Sequence, residues 1–594
     1  MSEHLLLVTL GPVQDFIVQA RRTRDLWYGS HLLSELCRAA ARALVDGGAQ
    51  LIFPALDRGD RELTACSAPV RQDGQPPLSI ANKLLAAVPP GVDPAQLVRA
   101  VRDQVLTHWR DGITAPVKEK CQRLLAPRID DVWAEQIDTL VEFLATWAPL
   151  NNYSEARRSV DRAIAGRKHL RDFGLWQHVR GAVPKSSLDG GRETVLRAPK
   201  ERDPQLVRKY RIADGEQLDA VALVKRAGGE PEQFVPVINI AQACWLGRAD
   251  STVAQELADL RNACRKAGIS RVTRDDLPWT ALFPFDASIL LPNRWETVFE
   301  EQGIKGDPHS WGRVHVRPLL RQMSDPYPYV ACLVADGDHM GRALNRLSAV
   351  EDHRAFSRAL SKFAATARET VEQEHHGALV YSGGDDVLAF LPLPEALACA
   401  KALNQMFERV MTSACGPLPA DVRPTLSVGI GIGHVMEGMG DLLALGREAE
   451  REAKRDRNSL AVLVAMRSGG RRAWRATWDN DPVDALRRSM SHLDELLPTR
   501  KVYEIASALR RLPTDSLDQQ WAQILVREVE RALSRVGEGS LIPSQVDLDL
   551  EYGIEYEKVR MRVAGWVNRL LIARVLARSV PRQRNRSEQE VAAI

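Results

Sequence analysis

Two adjacent carboxylates, Asp385 and Asp386, interrupt an otherwise apolar stretch, LVYSGGDDVLAFLPL at residues 379–393. Like charges this close resist ionising together, so keeping such a pair between two apolar segments is costly. The pair is best explained if its negative charge meets a cation. A surface β-turn is the ordinary explanation of a GGDD sequence on its own. The chemistry therefore depends on what else lies beside this pair.

A second acidic motif, VADGDHMG, carries Asp336 and Asp338 directly after an apolar segment. If that segment is the strand beside the GGDD hairpin, the four carboxylates converge and repel one another unless a cation lies between them. Mg²⁺ or Mn²⁺ suits such a site, because hard cations prefer oxygen ligands and bridge substrate phosphates. Gly383 and Gly384 would let a phosphate or base approach the backbone closely. The two motifs together predict a metal site for triphosphate chemistry.

The segments between residues 329 and 467 predict the elements that position these residues. Hydrophobic periodicity indicates a strand in YVACLVAD, a helix at about 340–374, a hairpin around GGDD, and a helix in LPEALACAKALNQMFERVM. A glycine-punctuated strand TLSVGIGIGH, another helix and a closing strand LAVLVAMR follow. The order βααββαβαβ matches a ferredoxin-like sheet of the polymerase-palm type. In such a sheet the first strand ends beside the central hairpin, so the two acidic motifs meet.

The amino-terminal region shows the same plan without its acids. LLVTLGPVQDF (6–16) aligns with CLVADGDHMGR (332–342), and SIANKLLAAVP (79–89) aligns with SGGDDVLAFLP (382–392). Every predicted metal ligand is lost from this copy: the positions of Asp336, Asp338, Asp385 and Asp386 hold Leu10, Pro12, Asn82 and Lys83. We therefore predict a first palm that binds nucleotide through Asn82 and Lys83 and faces a catalytic second palm. An exposed hairpin lysine is the alternative for Lys83.

These patterns predict an α+β fold with two ferredoxin-like palm domains, similar to nucleotide cyclases, a helical connector and an all-helical C-terminal domain. The predicted boundaries are 1–240 for the degenerate first palm with a helical insertion, 241–325 for the connector, 326–475 for the catalytic second palm, and 476–594 for the C-terminal domain.

Composition excludes several classes of protein. No apolar run approaches the roughly 18 residues of a membrane span. The amino terminus lacks the basic and apolar regions of a signal peptide, so we expect a cytoplasmic protein with no membrane partner. The eight cysteines are scattered without a CxxC pair, which argues for reduced thiols and against a four-cysteine zinc site.

Two basic segments are candidates for binding RNA or phosphate. Residues 560–586 contain eight arginines and no acidic residue; a solvated helix or a subunit contact explains them equally well. The segment QARRTRDLW combines Arg21, Arg22 and Arg24 with Trp27, which could stack on a base. A core tryptophan with solvated arginines is the plainer explanation of that segment.

Five segments occur here in an order that resembles a known family. They are GPVQDFIVQARRTRDLWYGSHLLSEL (11–36), GRKHLRDF (166–173), GEQLDAVALVKR (215–226), VADGDHMG and YSGGDDVLAF. Together they resemble the large palm-domain subunit of type III CRISPR RNA-guided effector complexes, in its Cmr branch. The resemblance implies an antiviral synthase of cyclic oligoadenylates, which makes this second messenger from ATP when guide RNA pairs with target RNA. It also implies ATP in both palms, Mg²⁺ at the GGDD palm, and the other subunits, guide RNA and target RNA as partners.

The resemblance also assigns roles to individual residues. The family's metal ligands carry over to Asp336, Asp385 and Asp386, with Asp338 in the same motif. Ser382 and Lys454 lie where related palms contact nucleotide phosphates. A solvated lysine is the alternative for Lys454, because its predicted helix is strongly charged.

Two departures from the family matter. Many members begin with an HD nuclease domain, but this sequence opens on the first palm strand and contains no His-Asp dipeptide, so we expect no such nuclease. The family's cysteine zinc module is missing as well, so no zinc is expected.

Two other functions are alternatives to the synthase that the resemblance implies: a stand-alone GGDD-type dinucleotide cyclase and a catalytically silent scaffold subunit. The basic C-terminal helix and the helical insertions favour membership of a complex, and the intact acids favour catalysis.

Overall fold

The computed structural model describes residues 2–65, 79–170, 181, 183–229, 234–272, 274, 276–414, 419, 422–514, 519–535, 541–550 and 555–583. Over these residues the fold is α+β, with two sheets and many helices, which confirms the predicted class.

The first palm is an antiparallel sheet in the order β2-β3-β1-β4. Its strands are β1 (His4–Gly11), β2 (Gln50–Phe53), β3 (Lys83–Val88) and β4 (Glu142–Pro149). Its helices are α1 (Gln14–Val18), α2 (Thr23–Asp46), α3 (Pro94–Thr107), α4 (Ala115–Lys120), α5 (Asp130–Asp138), α6 (Tyr153–His169), α7 (Pro204–Lys209), α8 (Ala220–Ala227) and α9 (Val237–Ala241). The strand order is that of a ferredoxin-like sheet, with β1 in the centre beside β3 and β4.

The connector is a set of short helices around its own apolar core. They are α10 (Ala243–Thr252), α11 (Ala254–Ala267), α12 (Trp295–Gln302), α13 (Pro308–His315) and α14 (Arg317–Gln322). Helices α11 and α12 end at Gly268 and Gly303, whose φ angles of 76° and 65° are left-handed, a conformation that glycine adopts without steric cost. Buried Leu257, Phe283 and Trp295 belong to this core.

The second palm is a sheet in the order β10-β9-β8-β5-β7-β6. Its strands are β5 (Tyr329–Asp338), β6 (Ala378–Gly383), β7 (Asp386–Pro392), β8 (Thr425–His434), β9 (Ser459–Ala465) and β10 (Arg471–Thr477). Its helices are α15 (Met340–Arg346), α16 (Val350–Glu369), α17 (Leu393–Ala414) and α18 (Met439–Ala453). The predicted order of elements is present, with two differences. The helix predicted at 340–374 is two helices separated at residues 347–349, and the edge strand β10 was not predicted.

The glycines of β8 allow α18 to lie directly on the sheet. A Cβ at Gly429 would come within 2.0 Å of the Glu450 backbone nitrogen, and one at Gly431 within 2.4 Å of the Gly446 nitrogen. Real Cβ atoms do not approach so closely, so residues larger than glycine would push the helix away. This close packing sets the position of the C-terminal end of α18, where Lys454 lies.

The C-terminal region forms α19 (Pro482–Glu495), α20 (Thr499–Arg511), α21 (Gln520–Leu533) and α22 (Tyr556–Ser579) around a separate core. Part of its predicted basic face is used internally. Arg569 donates to the Asp547 carbonyl at 2.9 Å, and Arg574 donates to the Tyr503 hydroxyl at 2.9 Å. Arg584 and Arg586 lie outside the described residues. Among the helices that the structure describes, none is long and apolar enough to span a membrane.

The two palms pack on each other reciprocally. Helix α2 of the first palm lies against β6 of the second, and α16 of the second lies against β2 of the first. Arg354 on α16 makes a bidentate pair with Asp57, with distances of 2.7 and 2.8 Å, and the Ser357 hydroxyl accepts from the Ala55 amide at 2.9 Å. These contacts fix the cleft that lies between the palms.

Candidate active site

A cleft of about 1240 Å³ lies between the palms and contains the predicted catalytic hairpin. Gly383, Gly384, Asp385 and Asp386 line it from the second palm, together with the first residues of α15. The opposite wall comes from the first palm, where residues 81–83 and helix α6 face the hairpin. The structure therefore brings the GGDD sequence to the same cavity as Asn82 and Lys83, the residues predicted in the first palm.

The two glycines of the hairpin are required for different reasons. Gly383 pairs with Asp386 across a two-residue turn, and Gly384 within that turn has a φ of 69°, which favours glycine. A Cβ at Gly383 would lie 2.1 Å from the Tyr381 hydroxyl oxygen. Both glycines thus have a structural explanation within the hairpin, and the close approach of a phosphate to them stays a prediction.

Three carboxyl groups meet beside the cleft: Asp385 and Asp386 line it, and Asp336 lies against Asp386. The Gly337 amide donates to Asp385, and the carboxyls of Asp386 and Asp336 share a hydrogen bond. Burial raises the pKa of Asp385 to about 6, and the Asp336 charge adds to the effect. Burial also raises the pKa of Asp386 well above its usual range, as do the hydrogen bond to Asp336 and the Asp385 charge. A cation bound beside these carboxyls would offset their repulsion.

Lys454 lies just after the end of α18 and reaches back to the acidic motif of β5. Its ammonium pairs with Asp336, lies 3.1 Å from Asp338, and donates to the backbone carbonyls of residues 336 and 337 at 3.0 and 2.9 Å. Burial alone would lower the pKa of Lys454, but the hydrogen bonds and charges of the two aspartates raise it overall. Lys454 is therefore not a solvated lysine. Its contact with phosphate stays a prediction, because its described partners are carboxylates and carbonyls.

Asp338 has a different environment from the other three acids. Its side chain is fully buried and accepts from the Thr425 hydroxyl at 2.9 Å, the Ser427 hydroxyl at 2.9 Å and the Asn458 amide at 2.9 Å. Together with Lys454, these donors satisfy the carboxylate without a metal. Asp338 joins β5, β8 and the end of α18, so its predicted role as a metal ligand competes with a structural role.

Ser382 does not face the cleft. Its side chain is buried, 3% exposed, and its hydroxyl donates to the Ala364 carbonyl of α16 at 3.2 Å. Ser382 pairs with Val387, the residue next to Asp386 on β7. Because successive residues of a strand point to opposite faces of the sheet, Ser382 lies on the face opposite to that of Asp386 and Leu388. The structure thus gives Ser382 a partner within the helix rather than a position for a phosphate.

Comparison of the two palms shows that the sequence alignment of β1 with β5 is wrong by one residue. Helix α6 packs on the face of Leu5 and Leu7, whereas α18 packs on the face of Cys332 and Val334. Helix α6 follows β4 and helix α18 follows β8, and these two strands have equivalent places in their sheets. Thr9, and not Leu10, therefore occupies the position of Asp336. Gly11, and not Pro12, then corresponds to Asp338. The prediction was wrong by one residue because both strands are apolar on both faces, which leaves their register undefined by sequence.

The hairpin half of that alignment agrees with the strand pairing. Thr9 pairs with Lys83, and Ala335 pairs with Val387, so the next pair in the second palm is Asp336 with Asp386. Lys83 therefore occupies the position of Asp386, and Asn82 that of Asp385. The Asn82 side chain donates to the Leu10 carbonyl at 3.2 Å.

Helix α6 supplies charged groups that the sequence alone did not single out. Lys83 is half-exposed and its ammonium lies 2.7 Å from Asp161. Arg158 and Arg162 line the cleft beside this pair. The spacing of three and four residues between Arg158, Asp161 and Arg162 places them on one helix face. This spacing was the pattern in the sequence that could have identified them.

The segment QARRTRDLW lies outside this cleft. Trp27 is buried, 9% exposed, and stacks on His31 with ring centroids 5.3 Å apart. It is therefore a core residue, and the base-stacking alternative does not fit its position. Arg24 is also buried, 6% exposed, so the expectation of a solvated arginine does not hold for it.

Two family descriptions match this chain. "Cas10/Cmr2, second palm domain" matches residues 329–461, and "CRISPR-associated protein Cmr2, N-terminal" matches residues 5–114. A curated relative, the CRISPR system Cmr subunit Cmr2 of Pyrococcus furiosus, is 22% identical over an alignment that covers 88% of this chain and 69% of that protein. These matches identify a Cas10/Cmr2 second palm and a Cmr2 amino-terminal region in this chain. All four predicted acidic ligands lie in the matched Cas10/Cmr2 palm, and Asn82 and Lys83 lie in the matched Cmr2 amino-terminal region.

Solved structures share the Cas10/Cmr2 fold described above. A chain of a type III-B Cmr-beta complex in its apo state matches with a TM-score of 0.62 and 14% identity, over 95% of this chain and 81% of that one. A chain of the Cmr-beta complex bound to cognate target RNA matches with a TM-score of 0.60 and 13% identity, over 94% of this chain and 80% of that one. At this identity the likeness shows the fold.

Proposed function

We propose that the cleft between the palms joins ATP molecules into cyclic oligoadenylate, and that the chain does so as the large subunit of a type III CRISPR effector complex. The matches to the Cas10/Cmr2 second palm and the Cmr2 amino-terminal region, and the Cmr2 relative, support the second part. The observation that carries the first part is the cluster of Asp336, Asp385 and Asp386, in which burial and the neighbouring carboxyls raise the pKa of Asp385 and Asp386. A structural role does not explain why three carboxyls would be held together beside an open cleft.

The acid cluster fits a divalent cation. Carboxylate oxygens are the ligands that Mg²⁺ and Mn²⁺ prefer, and we assign Asp336, Asp385 and Asp386 as the groups that would hold the ion. When bound, such an ion neutralises charge on the reacting phosphates and lowers the pKa of the attacking hydroxyl. Lys454 lies against Asp336 and would orient that carboxylate.

The opposite wall suits the phosphates of the substrate. Lys83, Arg158 and Arg162 of the first palm face the hairpin and carry positive charge in the cleft. The volume of about 1240 Å³ exceeds the roughly 300–1,000 Å³ typical of a pocket for one small ligand, so it leaves room for two nucleotides. In the proposed step the 3′-hydroxyl of one nucleotide releases its proton to solvent, and its oxygen bonds to the α-phosphorus of another nucleotide. The bond between that phosphorus and the oxygen bridging to the β-phosphate breaks, and pyrophosphate leaves. The same step within one chain closes the ring.

RNA and neighbouring subunits are the proposed partners. The solved Cmr-beta structures come from assemblies, one of which is bound to cognate target RNA. By analogy, pairing of guide RNA with target RNA would switch on synthesis in the assembled complex.

Product analysis on the reconstituted complex tests this function. The complex is incubated with labelled ATP, Mg²⁺ and target RNA, and the products are sized and tested for resistance to phosphatase. We expect phosphatase-resistant oligoadenylates that depend on target RNA. Cyclic dinucleotides formed by the isolated chain without RNA would favour a stand-alone cyclase, and normal RNA binding without any product would favour a silent scaffold.

A further inference from the structure

A second cavity, here called the basic cavity, lies on the other side of the palm pair. It has a volume of about 870 Å³ and is bounded by the start of α2, helix α7, the connector and the segment that follows β8. Among the described residues, eight basic side chains line it: Arg21, Arg22, Arg24, Arg208, Lys209, Arg211, Arg271 and Arg294. Four acids accompany them: Glu216, Asp286, Glu301 and Glu437.

The two most buried of these acids already have cationic partners. Glu216 accepts from Arg226 at 2.8 Å, and Asp286 accepts from Arg211 at 2.9 Å. Glu301 and Glu437 are exposed and lie at the rim. The interior of the basic cavity therefore has an excess of positive charge that its own acids do not neutralise.

Arg24 shows this excess most clearly. Its guanidinium lies 4.8 Å from the centre of the Phe234 ring and 5.5 Å from that of Tyr210. In the part of the chain that the structure describes, its Nε and one terminal nitrogen are buried without a hydrogen-bond partner. Burial lowers the pKa of Arg24 to about 10, so it is still charged at neutral pH. Buried donors of a charged group are costly to leave unpaired.

The neighbouring acid cannot serve Arg24. Asp25 binds Arg226 at 2.6 and 2.8 Å and accepts the backbone amides of Arg21 and Arg22 at 3.1 Å each. Its carboxylate is fully buried and its oxygens are occupied. The donors of Arg24 thus remain available to a group that enters the cavity.

The basic cavity also has a defined relation to the catalytic cleft. The cleft is bordered by the segment after β5, the central strand of the second palm, and by α6, which follows β4 of the first palm. The basic cavity is bordered by the segment after β1, the central strand of the first palm, and by the segment after β8 of the second palm. Strands β4 and β8 are equivalent in the two sheets. Equivalent elements thus build both cavities, with arginines in the second where the first has carboxylates.

We propose that the basic cavity binds a phosphate ester, with Arg24 donating to its oxygens without a metal. The planar fork of arginine matches phosphate oxygens, and it is the residue suited to phosphate recognition in a partly buried site. The cavity is large enough for a nucleotide. A nucleotide within an RNA strand and a free nucleotide present the same chemistry.

Binding measurements on the full chain test this site. The probes are inorganic phosphate, AMP and a fluorescently labelled single-stranded RNA of about ten nucleotides. Affinity is measured at two salt concentrations, together with the thermal midpoint of the free protein. The variants are Arg24→Met and Arg208→Glu in the basic cavity, and Arg102→Glu on exposed α3 as the matched charge control.

We expect at least one probe to bind the parental protein. Arg24→Met should weaken its binding at least tenfold, and Arg208→Glu should weaken it several-fold. Arg102→Glu should weaken it less than twofold. The free Arg24→Met protein should unfold at the parental temperature or above, because methionine removes the unpaired donors. Tighter binding of RNA than of AMP would identify a strand as the ligand, and equal binding would identify a free nucleotide. Parental affinity in Arg24→Met, or failure of all three probes to bind the parental protein, would overturn the proposal.

Because Arg24 and Arg208 line the basic cavity and not the catalytic cleft, this site and the proposed synthase activity can fail independently. Loss of product with normal binding at the basic cavity would concern only the cleft.

Discussion

Lys83 and Asp161 form an ion pair of 2.7 Å in the first palm, and its charges are arranged oppositely to those of the Asp336–Lys454 pair in the second palm. In the first palm the cation is on strand β3 and the acid is on helix α6. In the second palm the acid, Asp336, is on strand β5 and the cation, Lys454, follows helix α18. The first pair lines the cleft, and Asp336 shares a hydrogen bond with Asp386, which also lines it. This difference in charge is consistent with one palm holding a cation while the other holds phosphate.

Lys83→Glu should lower the apparent affinity for ATP at least several-fold, because it places negative charge beside the bound phosphates. Asp161→Asn should leave that affinity unchanged or raise it, since it frees the Lys83 ammonium. Steady-state kinetics of ATP conversion by the reconstituted complex measures both. Arg99→Glu, on exposed α3, controls for a general loss of positive charge. Parental apparent affinity in Lys83→Glu would remove this lysine from the site.

Asp336 and Asp338 should respond differently to the same substitution. Asp338→Asn weakens a buried ion pair with Lys454 and should cost about 3 kcal/mol of stability. Asp336→Asn, at a side chain that is 36% exposed, should leave stability nearly unchanged and remove product formation. Thermal unfolding and product yield are compared for the two proteins. A stable Asp338→Asn protein that makes no product would instead make Asp338 a metal ligand.

The acid cluster should make the metal-free protein less stable as the pH rises. The pKa of Asp385 is about 6 in the folded protein, above its usual value, so its contribution is fully present below about pH 4 and is lost as the pH rises through 6. The thermal midpoint in EDTA should therefore fall by about 2–4 °C more between pH 4.5 and 7.5 than in Asp385→Asn/Asp386→Asn. Mg²⁺ should restore the parental midpoint at pH 7.5 and not that of the variant. Identical pH profiles for the two proteins would contradict the raised pKa values.

The two hairpin glycines should differ in their tolerance of alanine. Gly384→Ala places alanine at a φ of 69°, which should cost about 1 kcal/mol and leave measurable activity. Gly383→Ala places a Cβ against the buried Tyr381 side chain and should displace the turn that carries Asp385. We expect the larger loss of product from Gly383→Ala, measured on complexes with equal RNA binding. A larger loss from Gly384→Ala would mean that backbone conformation matters more than the Tyr381 contact.

The second palm could be predicted from sequence because each of its elements has a clear period and the acidic motifs mark the ends of its strands. The edge strand β10 was missed because Arg471–Thr477 pairs with β9 alone and lacks an apolar run. The break at residues 347–349 was missed because the pattern of α15 continues into that of α16.

The details of the site depended on contacts between distant segments. The partners of Lys454 lie more than a hundred residues earlier in the chain, and Ser382 turns out to bond α16. The register of β1 required the position of α6, since both faces of that strand are apolar. The sequence marked Arg21, Arg22 and Arg24 as a basic segment, but it could not predict the cavity or the burial of Arg24, because elements of two palms and the connector form that space.

The most direct measurement is the initial rate of oligoadenylate formation by the reconstituted complex with target RNA and Mg²⁺, for three versions of this chain. They are the parental protein, Asp385→Asn/Asp386→Asn, and Asp494→Asn/Glu495→Gln, which neutralises an adjacent exposed acid pair at the end of α19. We predict that the first double variant binds RNA normally but forms product at least a hundredfold more slowly, and that the second matches the parental rate. A parental rate in Asp385→Asn/Asp386→Asn would contradict the assignment of the catalytic site.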